Sequence, residues 1–206
     1  SGAALTYFVR ADFFAYNTPY CKLYCYSTEE FMTDIIVIDS EESLSLLIAE
    51  TLSRSFSVRF YNMNSMYLSG EGNAVNLWRT DSLHGLVTDD CVVVMGENTA
   101  AIPRLIPDTA VIIANALNKE QMKTLSYLTC NVITCGNLIM DTVSYTSITD
   151  EEISVSFGRT VTTLGGDEIQ PFEIPVKRNG AESLYEIMAV TALRLLTGDN
   201  SIIEEV

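Results

Sequence analysis

From residue 33 onward, short apolar runs alternate with amphipathic stretches. Ile35-Ile36-Val37-Ile38 is apolar at every position, the pattern of a strand buried on both faces. Leu44, Leu47, Ile48 and Leu52 then recur at helical spacing and predict a helix over 43–52. Asp39 or Ser40 is its expected N-cap, and Glu41 and Glu42 favour its first turn through the helix dipole. Further strands are predicted over 57–61, 91–95, 110–114 and 131–135, with a helix over 119–128 and Gly136 closing the last strand. Strands separated by helices pair in parallel. The expected fold class is α/β, a mostly parallel sheet flanked by helices.

The rhythm changes after residue 140. Strand candidates at 142–148, 152–157, 159–164 and 169–176 are separated by polar turns, with Gly165-Gly166-Asp167 among them. They predict a small antiparallel β element near 140–176. A last helix is expected over 181–196, with Leu184, Ile187, Met188, Val190, Ala192, Leu193 and Leu196 on its apolar stripe and Gly198 ending it. No internal repeat or low-complexity segment interrupts the chain.

Residues 1–31 read differently, and 32–206 read as a single domain. Residues 4–9 suit a strand, and Phe13, Phe14, Tyr16, Tyr20, Tyr24 and Tyr26 crowd around Pro19. So many aromatics are expected to pack on the domain or on a second chain. One reading is a cap over a sheet edge or face. The other is a dimer or partner interface, with Tyr20 and Tyr24 as contact candidates. Ser1-Gly2 reads as a cloning scar and Met32 as a native start, two readings the sequence leaves open.

Composition narrows the function classes. With 206 residues, 48% hydrophobic, the chain has enough apolar material for a real core. Its net charge of −15 repels phosphate backbones, so nucleic acid and anionic lipid are not expected partners. No run approaches a membrane span, and no signal peptide is evident, so the expected location is the cytoplasm. One histidine argues against a His-based zinc site. The five cysteines read as ordinary thiols, with Cys91 and Cys130 in or beside apolar runs and Cys21 and Cys25, four apart, as weak evidence for a metal or a disulfide. No Ser-His-Asp set stands out.

Four features have possible chemistry. Asp39, Glu41 and Glu42, with Glu97, are weak candidates for a divalent cation, because carboxylate oxygens suit Mg²⁺ or Ca²⁺. A capped, solvated helix start is the blander account of the same residues. Ser69-Gly70-Glu71-Gly72-Asn73 is rich in glycine but has no lysine, so it reads as a turn. His84 reads as a solvated loop residue. Lys177-Arg178 is the one local basic pair and a ligand candidate, against the simpler account of a solvated loop. The start V-I-D-S-E-E-S is similar to that of receiver domains, yet Met95-Gly96 stands where their phosphate-accepting Asp would follow the third strand.

The order of these segments over about 33–200 resembles the central, ATP-binding domain of the Mur ligases, a P-loop NTPase-like fold, with folylpolyglutamate synthase as a cousin. Pro107-Asp108-Thr109-Ala110-Val111-Ile112-Ile113-Ala114-Asn115 resembles the family's strand ending in Asn, which makes Asn115 a ligand candidate. Val132-Ile133-Thr134-Cys135-Gly136 is similar to its V-I-T-Y/F-G strand. The stretch 142–176 is similar to its β insert. Glu173-Ile174-Pro175-Val176 and the helix after it resemble L-P-L-P-G-x-H-N and its helix.

The catalytic parts of that family are missing from these positions. Its phosphate loop, G-T-x-G-K-T/S, is matched here by Asp39-Ser40-Glu41-Glu42-Ser43-Leu44, with no glycine and no lysine. Such a loop should repel triphosphate. Met95 stands where the family has a magnesium-binding Glu, with Glu97 two residues later. Asn115 is not followed by the family's Asp-His pair, the segment carrying its modified lysine looks deleted, and the chain stops where its C-terminal domain would begin. The resemblance therefore implies a degenerate, non-catalytic domain without cofactors, acting by binding a protein partner or a cell-wall-related ligand, self-association included. The alternative is an enzyme, either metal-dependent through Asp39/Glu41/Glu42 or an ATP-dependent amide ligase completed by a partner subunit.

Overall fold

The apolar run at Ile35 forms the centre of a large sheet in the computed structural model, which describes residues 33–88, 90–99, 103, 105–178 and 180–199. The aromatic segment 1–31, with Tyr20 and Tyr24, lies outside the described residues. Strand β1 (Thr33–Ile38) leads into helix α1 (Ser43–Leu52). A hairpin of β2 (Ser57–Asn62) and β3 (Ser65–Ser69) follows, and then β4 (Ala74–Thr80). Strand β5 (Cys91–Met95), β6 (Val111–Asn115), α2 (Lys119–Leu125) and β7 (Asn131–Cys135) complete the alternating part. Then come β8 (Val143–Ile148), β9 (Glu152–Phe157), β10 (Val161–Thr162), β11 (Glu168–Ile169), β12 (Phe172–Lys177) and α3 (Leu184–Leu196).

Ten of these strands form one mixed sheet in the order β12-β9-β8-β7-β6-β5-β1-β4-β2-β3. The strands from β2 through β4, β1, β5, β6 and β7 to β8 pair in parallel, whereas β3, β9 and β12 pair antiparallel to their neighbours. The fold is thus the expected α/β class. The antiparallel stretch after 140 is present in two pieces: β8, β9 and β12 extend the main sheet, and β10 and β11 form a separate two-stranded ladder.

Alternation along each strand divides the core. Ile35, Val37, Val92, Val94 and Ile113 point to one face, under Leu44, Ile48 and Leu52 of α1 and Ile187, Met188 and Leu193 of α3. Ile36, Ile38, Val93, Met95 and Ile112 point to the other, where Leu125 of α2 covers them with half-buried Met122, Leu86 and Ile106. Burial on both faces is why these strands read as unbroken apolar runs. Helix α3 opens with a capping box: Ser183 Oγ accepts from Glu186 N and Glu186 Oε2 accepts from Ser183 N. It ends, as expected, at left-handed Gly198.

Several expectations need correction. Strands β3 and β4 were not predicted, and β4 lies beside the sheet's centre, between β1 and β2. The N-cap of α1 is Glu42, in a left-handed conformation with φ 69°, rather than Asp39 or Ser40, so both glutamates precede the first turn instead of occupying it. The helix expected over 119–128 stops at Leu125, because the chain turns at Ser126. The strand expected over 159–164 shrinks to the two residues of β10. Ser69 to Asn73 is indeed a turn; it joins β3 to β4, with Gly70 at φ +80°.

Candidate functional site

Open parallel sheets take ligands beyond the C-terminal ends of their strands. At that end, Asp39 follows β1, Glu97 follows β5 and Asn115 closes β6. The loop after β5 is fastened down: Gly96 N donates to Ile38 O at 2.7 Å, and Thr99 Oγ1 donates to the same carbonyl at 2.9 Å. Gly96 leaves no room for a side chain, since a Cβ would lie 2.8 Å from Thr99 Oγ1 and 3.0 Å from Ile38 O.

Three amides from the β6–α2 segment hold that loop from below. Buried Gln121 donates through Nε2 to Gly96 O and Thr99 O, both at 2.8 Å, and accepts from Asn115 N at 2.9 Å. Asn118 Nδ2 donates to Glu97 O at 3.1 Å. Asn115 Nδ2 donates to the same carbonyl at 3.3 Å, and its Oδ1 accepts from Leu117 N at 3.0 Å. The polar atoms of Asn115 are therefore engaged within the fold.

Asp39 is almost fully buried, and its carboxylate sits on the start of α1. Its Oδ1 accepts from Glu41 N at 3.0 Å and its Oδ2 from Ser45 N at 3.4 Å. A helix N-terminus is a ready anion site, because its first N–H groups have no partner within the helix. Here the chain supplies the anion itself. Asp39 thus performs a cap's work from outside the cap position, which is displaced to Glu42.

Asp39, Glu41, Glu97 and Glu186 line one small crevice of about 20 Å³, room for roughly one water molecule. Glu186 was not a sequence candidate, although Ser183-x-x-Glu186 carries the spacing of a capping box. It joins the site because Ser43 Oγ donates to its Oε1 at 2.6 Å, bringing the starts of α1 and α3 together. Among the described residues, no lysine or arginine lines this crevice. Glu42 is elsewhere: its Oε1 accepts from Asn62 Nδ2. Among the described residues, no three His, Cys, Asp or Glu side chains are grouped so as to hold a metal ion.

Two buried acids behind the crevice are chemically quiet. The Tyr185 phenol donates to Met95 O. Burial, followed by the neighbouring Cys135, Glu97, Asp39 and Glu186, holds its pKa well above the ordinary value, so it stays protonated. Burial, reinforced by Asp141, also pushes the Cys135 thiol far up, which keeps it from acting as a nucleophile.

The other half of the strand-end rim is apolar. Asp141 Oδ2 accepts from Leu138 N at 2.9 Å and Asp141 N donates to Leu138 O at 2.9 Å, closing a tight turn after β7. That turn leaves Ile139 99% exposed between half-exposed Leu138 and Met140. A groove of about 390 Å³ lies alongside, lined among others by Leu117, Met122, Val132 and Arg159. Lys177, which ends the far edge strand β12, and Arg178, which follows it, are remote from all of this. They line a shallow hollow with Thr149, Glu151 and Glu152, and Arg178 clamps the β8–β9 turn by donating to Thr149 O at 3.0 Å. His84 is an exposed loop residue.

Comparison with known proteins adds an outline. No family profile matches the chain, and no curated protein matches it significantly. Among solved structures it is similar to UDP-N-acetylmuramate:L-alanyl-gamma-D-glutamyl-meso-diaminopimelate ligase from Neisseria meningitides. The TM-score is 0.49 at 10% identity, over 82% of this chain and 62% of that one. It is also similar to MurF from Acinetobacter baumannii, with a TM-score of 0.48 at 10% identity, over 81% of this chain and 42% of that one. A third match is a UDP-N-acetylmuramoyl-L-alanyl-D-glutamate–2,6-diaminopimelate ligase, with a TM-score of 0.46 at 8% identity, over 81% of this chain and 43% of that one. The chain thus spans less than two thirds of each of these proteins. No described helix is long and apolar enough to cross a membrane.

Proposed function

We propose that this chain is a degenerate Mur-ligase-like domain that acts by binding rather than by catalysis. Its partner is a protein, or a cell-wall-related ligand, that seats at the strand-end rim. The observation that carries this reading is the Asp39 carboxylate on the N–H groups of Glu41 and Ser45. It fills the place where a nucleotide-binding loop would hold phosphate, and Glu41, Glu97 and Glu186 surround it with the same charge. Carboxylates lining a crevice disfavour a bound polyanion such as a triphosphate. The apolar turn at 138–140 and the groove beside it offer the surface that a partner would cover.

A second reading has one observation in its favour. Asp39, Glu41 and Glu97 do share a crevice, as an enzyme using a divalent cation would require. Against it, Glu42 faces Asn62 and both Asp39 oxygens are already engaged.

Calorimetric titration separates the two. Neither MgATP nor Mg²⁺ or Ca²⁺ alone should give saturable heat at micromolar to millimolar concentration. Titration with UDP-linked cell-wall precursors then divides a small-ligand partner from a protein one. Asp39→Ala should lower stability by about 0.5–2 kcal/mol, the usual cost of a lost cap, without creating nucleotide affinity. Micromolar MgATP binding that disappears on substituting the loop at residues 39–43 overturns the proposal.

A further inference from the structure

Among the described residues the sheet ends at β3, and nothing in this strand itself supplies the usual defences. Edge strands are normally guarded by charge, proline or a bulge, because their outer backbone groups pair readily with another chain. Residues 60–70 contain no charged residue and no proline, in a chain of net charge −15. The β2–β3 ladder runs without a bulge from Asn62↔Ser65 to Val58↔Ser69. Met66, Tyr67 and Leu68 are 65%, 54% and 71% exposed.

Hairpin geometry fixes which backbone groups face outward. Only Met63 and Asn64 separate the paired Asn62 and Ser65, and Met63 takes the left-handed φ of 51° that such a turn uses. A pair flanking a two-residue turn must exchange both hydrogen bonds, and bonded and non-bonded pairs alternate from there. Ser65, Tyr67 and Ser69 therefore bond to β2. The N–H and C=O groups of Met66 and Leu68 point away from the sheet.

The same face of the edge carries an apolar strip. Cross-strand partners share a face, so Ile36, Trp78, Tyr61 and Met66 lie side by side across β1, β4, β2 and β3. Tyr61 and Trp78 stack with centroids 3.8 Å apart and planes 8° from parallel. Both remain partly exposed, because α1 covers the opposite face of these strands.

We propose that β3 is the interface of a two-fold dimer, occupied by β3 of a second copy running antiparallel and centred on Tyr67. The argument for a second copy is self-complementarity. Ser65-Met66-Tyr67-Leu68-Ser69 has the same order of residue classes in both directions. An antiparallel pair about Tyr67 sets Met66 against the partner's Leu68, Ser65 against the partner's Ser69, and the two Tyr67 rings against each other. Outward hydrogen bonds at Met66 and Leu68 then meet in register, and Tyr67 falls at a non-hydrogen-bonded position, where side chains approach most closely. A two-fold axis places both Trp78-Tyr61-Met66 strips on one face, joined through Leu68, and closes the contact so that no fibre grows. Strand β3 itself carries no charge for a partner recognised by charge, the nearest being Arg59 of β2 opposite Leu68. This proposal is independent of the strand-end reading above.

Sedimentation of the full chain over a concentration series tests it. The wild type should be a dimer at tens of micromolar, and added salt should tighten it by screening the two −15 charges. Met66→Lys should be a monomer at the same concentration. So should Leu68→Pro, which removes an outward N–H and leaves the β2 ladder whole; circular dichroism checks that each variant is folded. Tyr67→Cys should give a disulfide-linked dimer on a non-reducing gel, beyond any seen for wild type run in parallel, whereas Met66→Cys should not. A wild type that stays monomeric at several hundred micromolar overturns the proposal. So does a dimer that survives both Met66→Lys and Leu68→Pro.

Discussion

An Arg194→Ala variant is expected to lose about 3–5 kcal/mol of stability, the usual cost of breaking a buried ion pair from one side. Arg194 Nε lies 2.8 Å from Asp199 Oδ2, and the two side chains are 12% and 2% exposed. The aspartate also accepts from Ser55 Oγ at 2.9 Å, so it ties the end of α3 to the loop after α1. At this chain length the loss should lower Tm by about 6–20 °C in calorimetry. A paired Arg194→Met/Asp199→Leu variant should recover most of it, because both desolvated charges are then gone. If the single variant melts within 2 °C of wild type, the pair contributes little.

Gly70→Ala should be comparably damaging, for a steric reason. A Cβ at Gly70 would lie 2.1 Å from Phe56 O and 2.4 Å from Ser53 O, and φ is +80°. Left-handed strain and overpacking against rigid backbone together amount to about 2–5 kcal/mol. Gly166→Ala is the matched control: φ there is +89°, but nothing lies within 4 Å. Its cost should stop at the conformational part, about 1–2 kcal/mol. Urea midpoints of the two variants give the comparison directly. Equal midpoints would mean that the β3–β4 turn can move off the end of α1.

That contrast bears on what the sequence discloses. The glycines at 70 and 72 look like a ligand loop only when their neighbours in space are unknown; Gly70 is small because helix α1 ends against it. Strands β1, β5 and β6 were legible because burial on both faces leaves a nearly uninterrupted apolar run. Strand β4 was not, because Asn76 sits within it, almost fully buried and donating to Asp34 Oδ1 at 2.9 Å. A polar side chain bonded to a neighbouring strand cannot be told from a loop residue until both strands are seen.

The acidic rim was legible in the same partial way. Asp39, Glu41 and Glu97 could be named from their places after apolar runs. Glu42 could not be excluded, since its left-handed backbone turns it toward Asn62. Glu186 was hidden by 143 residues of separation from its partner Ser43. Lys177 and Arg178 were readable as a basic pair, but only the strand order puts them on the outer edge of the sheet.

One joint in that sheet has a mechanical consequence. Strands β7 and β8 meet through a single residue pair, Cys135↔Val143, whereas β8 and β9 zip together over five pairs. The continuous sheet is therefore two leaves with a seam, spanned by α3, which packs against β6, β7 and β8. Sub-global opening should follow the seam. Amides of β8, β9 and β12 should exchange with deuterium as one cooperative unit, at a lower free energy than those of β1, β5 and β6. Helix α3 then sets the opening threshold, fastening the smaller leaf to the larger.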